Sequence, residues 1–393
     1  MGALLSSLRS AAEGPRKVLR AATLPAARIS SPIAAGAPSA SFPSPHAANL
    51  REAAAARFVE GQLAGLAPVT MACERRGTGE PVVLLHGIGH HRRAWDAVVP
   101  HLIDARETIA VDLPGFGQSP DLPPSVPRDL PTTVSALRAL FAALGLDRPH
   151  VVGHSLGGLI ALRLAQAGLA RSVTALAPAG FWTAAERRYA FGMLTAAWYG
   201  TRLLPEGALE RLSRTAAGQA VLTGTLYGQT GRCTPETVVA GLRALREARG
   251  FTATLRAGRA PDLFSGEIPG IPVTIAWGSC DRILPGRQAA RVLTMIPRAR
   301  LVWLPGCGHV PMNDAPELIA DLILAASRSG LVGAGEPAAP VPVPPPLGTG
   351  EVPVDLCRGS AARGDPTGRP PATDGAAERR VRGCPDGRRQ AGR

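Results

Sequence analysis

Six short apolar runs constrain the fold of this chain more than any other feature: "PVVLLHG" (81–87), "TIAVD" (108–112), "HVVGH" (150–154), "VTALAP" (173–178), "VTIAWG" (273–278) and "LVWLPG" (301–306). None alternates apolar with polar residues, which is the pattern of parallel strands covered on both faces. Between them lie helical patterns, including "RRAWDAVVPHLIDA" and "TVSALRALFAALG". Strand–helix alternation of this kind predicts an α/β fold: a three-layer sandwich built on a mostly parallel sheet. The alternation lapses between residues 180 and 261, where "AERRYAFGMLTAAWYGTRLL", "ALERLSRTAAG" and "PETVVAGLRALREARGF" all read as helix. A helical insert between two parallel strands predicts a cap above the sheet, with the core divided into residues 66–179 and 262–329.

The flanks read differently. The chain has 393 residues with 45 Gly and 38 Pro, and both rise toward the ends. Residues 1–65 read as a low-complexity, largely disordered extension, with "ANLREAAAARFVEGQLAGL" able to form a helix at its end. Its Arg-rich, acid-poor composition is open to three readings: a targeting segment, a disordered tail or a mis-assigned start. Residues 330–393, with "EPAAPVPVPPPLGTG", read as an extended and then disordered tail. The formal charge is +13, and Lys17 is the sole lysine. The arginines form no stripe interleaved with aromatics, so no nucleic-acid partner is expected. The six cysteines are irregularly spaced without a CxxC pair. They predict neither a disulfide framework nor a zinc site, so a reducing, cytoplasmic compartment is expected; no metal or cofactor is expected either. No uncharged apolar run is long enough to predict a transmembrane segment.

Chemistry concentrates in "HVVGHSLGGLIALRLA", residues 150–165. A predicted strand meets a predicted helix at Ser155, with Gly153 and Gly157 two positions to either side and Gly158 beyond. A sharp strand-to-helix turn leaves no room for side chains at those positions and exposes the serine hydroxyl at the strand's carboxyl end. A serine needs a base to take its proton and a third group to orient that base. "WGSCDRILP" places Asp281 just past one later strand, and "LPGCGHVPMNDAP" places His309 just past the next. Asp112 and Asp314 are the rival acids. Asp112 reads as an anchor for the "LPGFGQS" loop, and Asp314 as a cap for the helix "APELIADLILAA". His154, next to the nucleophile, is expected to point elsewhere.

With "LLHGIG", "VDLPGFGQS", "VGHSLGG", "WGSCD" and "GCGHVPMNDAP" in this order, residues 67–328 resemble the α/β-hydrolase family. The resemblance is to the capped serine branch that includes C–C hydrolases, lactonases and cofactor-free haloperoxidases. It implies Ser155 as nucleophile, His309 as general base and acid, and Asp281 as the orienting acid. It also implies an oxyanion hole from the backbone N–H groups of Ile88 and Leu156. His86, Gly87 and Gly89 would support that loop. Members that open epoxides or displace halide carry Asp at the elbow, where this chain has Ser155.

The expected reaction is hydrolysis of an ester, thioester or lactone of a hydrophobic small molecule through an acyl-enzyme. The alternatives are C–C hydrolysis or perhydrolysis on the same triad, and a ligand-binding scaffold without turnover. Phe181, Trp182, Phe191 and Trp198 are the candidate substrate-pocket residues. Because the base must be neutral, activity should fall below about pH 6–7.

Overall fold

The computed structural model describes residues 56–329, apart from 262 and 269. The expected tails at 1–55 and 330–393 lie outside the described residues. In chain order the strands are β1 (Arg57–Gly61), β2 (Val69–Arg76), β3 (Glu80–Leu85), β4 (Arg106–Val111), β5 (His150–His154), β6 (Ser172–Leu176), β7 (Val273–Gly278) and β8 (Arg300–Leu304). They form one sheet in the order β1-β2-β4-β3-β5-β6-β7-β8. Pairing is antiparallel from β1 through β2 to β4 and parallel everywhere else.

The helices are α1 (Leu130–Ala143), α2 (Leu156–Gln166), α3 (Ala184–Leu203), α4 (Glu206–Ser213), α5 (Ala216–Thr223), α6 (Pro235–Glu247), α7 (Phe251–Ala257), α8 (Arg287–Met295), α9 (Pro311–Asp314) and α10 (Pro316–Ser329). All six apolar runs form strands, and β5 and β7 are buried at every position. Hydrophobic clusters cover both faces of the sheet, one including Leu85, Val151 and Ile275, the other Leu84, Val152 and Ala276. Neighbouring residues of one strand fall in opposite clusters, as a period of two requires.

Two expectations are corrected. "RRAWDAVVPHLIDA" does not form an α-helix but two 3₁₀ turns, Arg92–Trp95 and Val99–His101. Pro100 lacks the N–H that a continuing helix needs. "RFVEG" within residues 1–65 is neither disordered nor helical but the edge strand β1, paired with β2 from Arg57↔Cys73 to Gly61↔Val69. Gly61 explains part of this: a Cβ there would meet the Ala139 Cβ at 2.9 Å, so the strand lies directly on α1.

Between β6 and β7 the described elements are helices α3 to α7 and a single 3₁₀ turn. The chain reverses its lateral direction between β3 and β5: β4 lies to one side of β3, and β5 to β8 run off the other. Open parallel sheets bind ligands beyond the carboxyl ends of the strands at such a reversal.

Candidate active site

Ser155 stands at that reversal, immediately after β5. Its backbone has φ 52° and ψ −111°, a left-handed conformation that L-residues other than glycine rarely adopt. Three hydrogen bonds hold it there: Ser155 N–H donates to the Leu176 carbonyl at 2.9 Å, and the Ser155 carbonyl accepts from Leu159 and Ala179 at 3.1 and 3.0 Å. The two flanking glycines are required by close approach. A Cβ at Gly153 would fall on the Gly157 carbonyl oxygen, and a Cβ at Gly157 on the Leu85 carbonyl at the end of β3. Helix α2 can therefore sit hard against the ends of β5 and β3 only with glycine in both places.

Ser155 occupies the N-cap position of α2, yet its hydroxyl makes no capping bond. A serine in that position ordinarily accepts from the first-turn N–H groups. Here those donors stay available, and Leu156, which opens the helix, has no acceptor within it. Across the reversal, the Ile88 N–H has no backbone acceptor in its loop after β3. Ser155, Leu156 and Ile88 line one cavity of about 310 Å³. His86 holds the Ile88 loop without facing that cavity. Its Nδ1 donates to the Gly87 carbonyl at 2.7 Å, and its Nε2 accepts from the Leu113 N–H at 3.0 Å. Burial pushes His86 down to about 4, so both bonds persist at neutral pH. Gly89, with φ 75°, turns the loop beneath Leu245 and Phe251 of the helical segment.

Asp281 follows β7 and His309 follows β8, as expected for groups presented at one rim of the sheet. The His309 Nδ1 donates to Asp281 Oδ2 at 2.8 Å. Asp281 Oδ1 accepts the backbone N–H groups of Ile283 and Leu284 at 2.9 and 2.8 Å, which fixes the carboxylate. Its side chain is 0% exposed and that of His309 6%. With the proton on Nδ1, the lone pair of His309 sits on Nε2. The Ser155 hydroxyl is not hydrogen-bonded to His309 in this structure. The elbow touches His309 through the preceding residue: His154 Nε2 lies 2.7 Å from the His309 carbonyl oxygen.

Asp314 is not a helix cap. Its buried carboxylate accepts from Gly308 at 2.7 Å and from Gly228 and Gln229 at 3.0 Å each. It thereby fastens the loop carrying His309 to the segment between α5 and α6. Asp112 does anchor its own loop: it accepts from the Arg92 N–H at 2.6 Å and the Gln118 N–H at 2.9 Å.

The four pocket candidates divide. Trp182 and Phe191 line the cavity, their rings 5.5 Å apart edge to face. Phe181 and Trp198 do not. Phe181 is 3% exposed and packs on Phe264, while Trp198 stacks on Phe251 at 5.4 Å beneath the Arg202 guanidinium. Spacing on one helix could not separate these fates, because Trp198 lies two turns beyond Phe191, where α3 meets α7. The remaining walls include Leu159, Ile160, Leu194 and Leu284. Among the described residues no helix is long and apolar enough to cross a membrane.

Residues 82–322 match the model of the alpha/beta hydrolase family. A pimeloyl-[acyl-carrier protein] methyl ester esterase of Nitrosomonas europaea is 32% identical over 260 residues, covering 62% of this chain and 94% of that protein. Epoxide hydrolase EphH of Mycobacterium tuberculosis is 32% identical over 196 residues, 46% of this chain and 86% of that one. Among solved structures, a thermophilic esterase from Thermogutta terrifontis aligns with a TM-score of 0.55 at 22% identity, over 70% of this chain and 99% of the other. A serine hydrolase involved in carbazole degradation aligns at 0.54 and 21%, over 70% and 100%.

Proposed function

We propose that this chain, which belongs to the alpha/beta hydrolase family and is a hydrolase, cleaves carboxylic esters, thioesters or lactones of apolar acyl groups through a covalent Ser155 intermediate. One observation carries the reading: the 2.8 Å bond from His309 Nδ1 to a buried Asp281 carboxylate at the rim where Ser155 turns in its left-handed conformation. As substrate binds, Ser155 Oγ comes within hydrogen-bond reach of His309 Nε2, the tightening common to catalytic pairs. Oγ then attacks the acyl carbon and gives its proton to Nε2. Asp281 stabilises the imidazolium, and the N–H groups of Ile88 and Leu156 hold the oxyanion. His309 returns the proton to the departing alcohol or thiol. Water, deprotonated by the same nitrogen, releases the acid and regenerates Ser155.

Serine at the elbow supports ester over epoxide chemistry, despite the likeness to an epoxide hydrolase. The apolar cavity supports an acyl group of hydrocarbon character. The helical segment at residues 180–261 acts as the cap that closes over it, with Trp182 and Phe191 facing the bound chain.

The test is labelling with a fluorophosphonate probe alongside turnover of p-nitrophenyl esters from acetate to decanoate. The wild type should label and turn over, and Ser155→Ala should do neither, with kcat down at least about 10³-fold. Equal labelling of the two proteins would overturn the proposal.

A further inference from the structure

His154 is nine-tenths or more buried, with 1% of its surface exposed, and it does not line the cavity. Burial and the neighbouring His309 and His90 push its imidazole well below the ordinary histidine range, which favours the neutral ring. Its Nε2 faces a carbonyl oxygen 2.7 Å away, an acceptor only, so the single ring proton sits on Nε2 and the lone pair on Nδ1. Among the described residues that Nδ1 has no hydrogen-bond partner. The ring therefore makes one hydrogen bond, and it ends on the backbone of His309.

The other edge of the ring stands against the loop after β3. A Cβ at Gly87 would come within 2.8 Å of His154 Nδ1 and 3.1 Å of its Cε1. The ring centroids of His154 and His309 are 4.8 Å apart. One side chain thus touches the loop that carries the Ile88 N–H and holds the loop that carries His309, while its own backbone leads into Ser155.

A leucine would fill this volume without stranding a buried nitrogen, which an interior tolerates poorly. A purely packing role leaves the imidazole unexplained. Asp314 already pins Gly308 on one side of His309, and a second pin on the His309 carbonyl stops the peptide plane from rotating and swinging the ring.

We propose that His154 is a positioning residue: its Nε2–H holds the His309 main chain so that the imidazole keeps its bond to Asp281 and its reach to Ser155. This rests on the serine-hydrolase reading above and adds to it a role that neither loop supplies alone.

The experiment compares His154→Leu, which keeps bulk and loses the donor, with His154→Gln, whose Nε2 reaches nearly as far. For a p-nitrophenyl ester, His154→Leu should lower kcat 10- to 100-fold with KM within twofold. The acid limb of its kcat/KM profile should move, because a loosened His309 loses part of its bond to Asp281. His154→Gln should recover kcat to within about threefold and restore the limb. If His154→Leu does not fold, His154→Asn takes its place, since its amide stops short of the His309 carbonyl. Wild-type kcat and pH profile in a donor-deficient variant would overturn the inference. So would a His154→Gln no better than the donor-deficient variant. A wild type inert to both ester and fluorophosphonate would instead sink the reading on which this one rests.

Discussion

A serine opening a helix normally spends its hydroxyl on the exposed N–H groups behind it, and Ser155 does not. Ser155 and Leu156 line one cavity, so in the proposed reaction a single turn supplies both the nucleophile and one oxyanion donor. Asp281 makes a sharper test than its charge alone suggests, because everything around it donates. Its Oδ1 takes two backbone N–H groups and its Oδ2 takes His309 Nδ1–H. An amide in its place must set its NH₂ against one or other of these donors. Asp281→Asn should therefore lower kcat by about 10²–10⁴-fold while leaving a folded protein, as steady-state kinetics and circular dichroism would show. A kcat within threefold of wild type would remove Asp281 from the site. The places of Ser155, Asp281 and His309 beyond the carboxyl ends of β5, β7 and β8 were legible in the sequence because each of those strands is a continuous apolar run. The contacts of His154 and Asp314 were not, since a side chain on a strained turn or in a loop takes its direction from elements far away in the chain.

Elements meet here through missing side chains and shared carboxylates. Helix α2 lies against the end of β3 because Gly157 has no Cβ to strike the Leu85 carbonyl. Gly157→Ala forces that helix outward and should destabilise the fold by about 1–3 kcal/mol or more, read as a lowered Tm or loss of soluble protein. An unchanged Tm would mean that α2 and β3 do not pack this closely. Asp314 joins two loops, and Asp314→Ala strands three backbone N–H groups, one buried and two partly buried. We expect a loss of about 3 kcal/mol in urea unfolding and a fall in kcat, because Gly308 directly precedes His309. The buried parallel strands could be read from continuous apolar runs. The edge strand β1 could not: "RFVEG" is five residues long, mostly exposed, and preceded by a biased flank. Nor could the two 3₁₀ turns, whose apolar spacing mimics a helix that Pro100 interrupts.

At the scale of the whole molecule, the histidines near the site couple folding to pH. Burial lowers His86 to about 4 and His90 to about 3, and it lowers His91 and His154 as well. Above about pH 6.5 both folded and unfolded chains leave these rings neutral, and the contribution to stability is complete. Between about 6.5 and 4 the unfolded chain takes up protons that the fold refuses, so stability falls as pH falls. Tm should decline steadily from pH 6.5 to 4.5, and equal Tm values at pH 7.5 and 4.5 would contradict these burials. This acid sensitivity is separate from the proposed reaction, in which the ring of His309 carries the proton. Rapid mixing with an excess of p-nitrophenyl ester at pH 8, followed by acid quench and peptide mass spectrometry, tests the central claim most directly. We predict a burst of about one p-nitrophenol per protein and an acyl group on the peptide containing Ser155, both lost in Ser155→Ala. Turnover with no acylated peptide, or with the acyl group on any other residue, would contradict it.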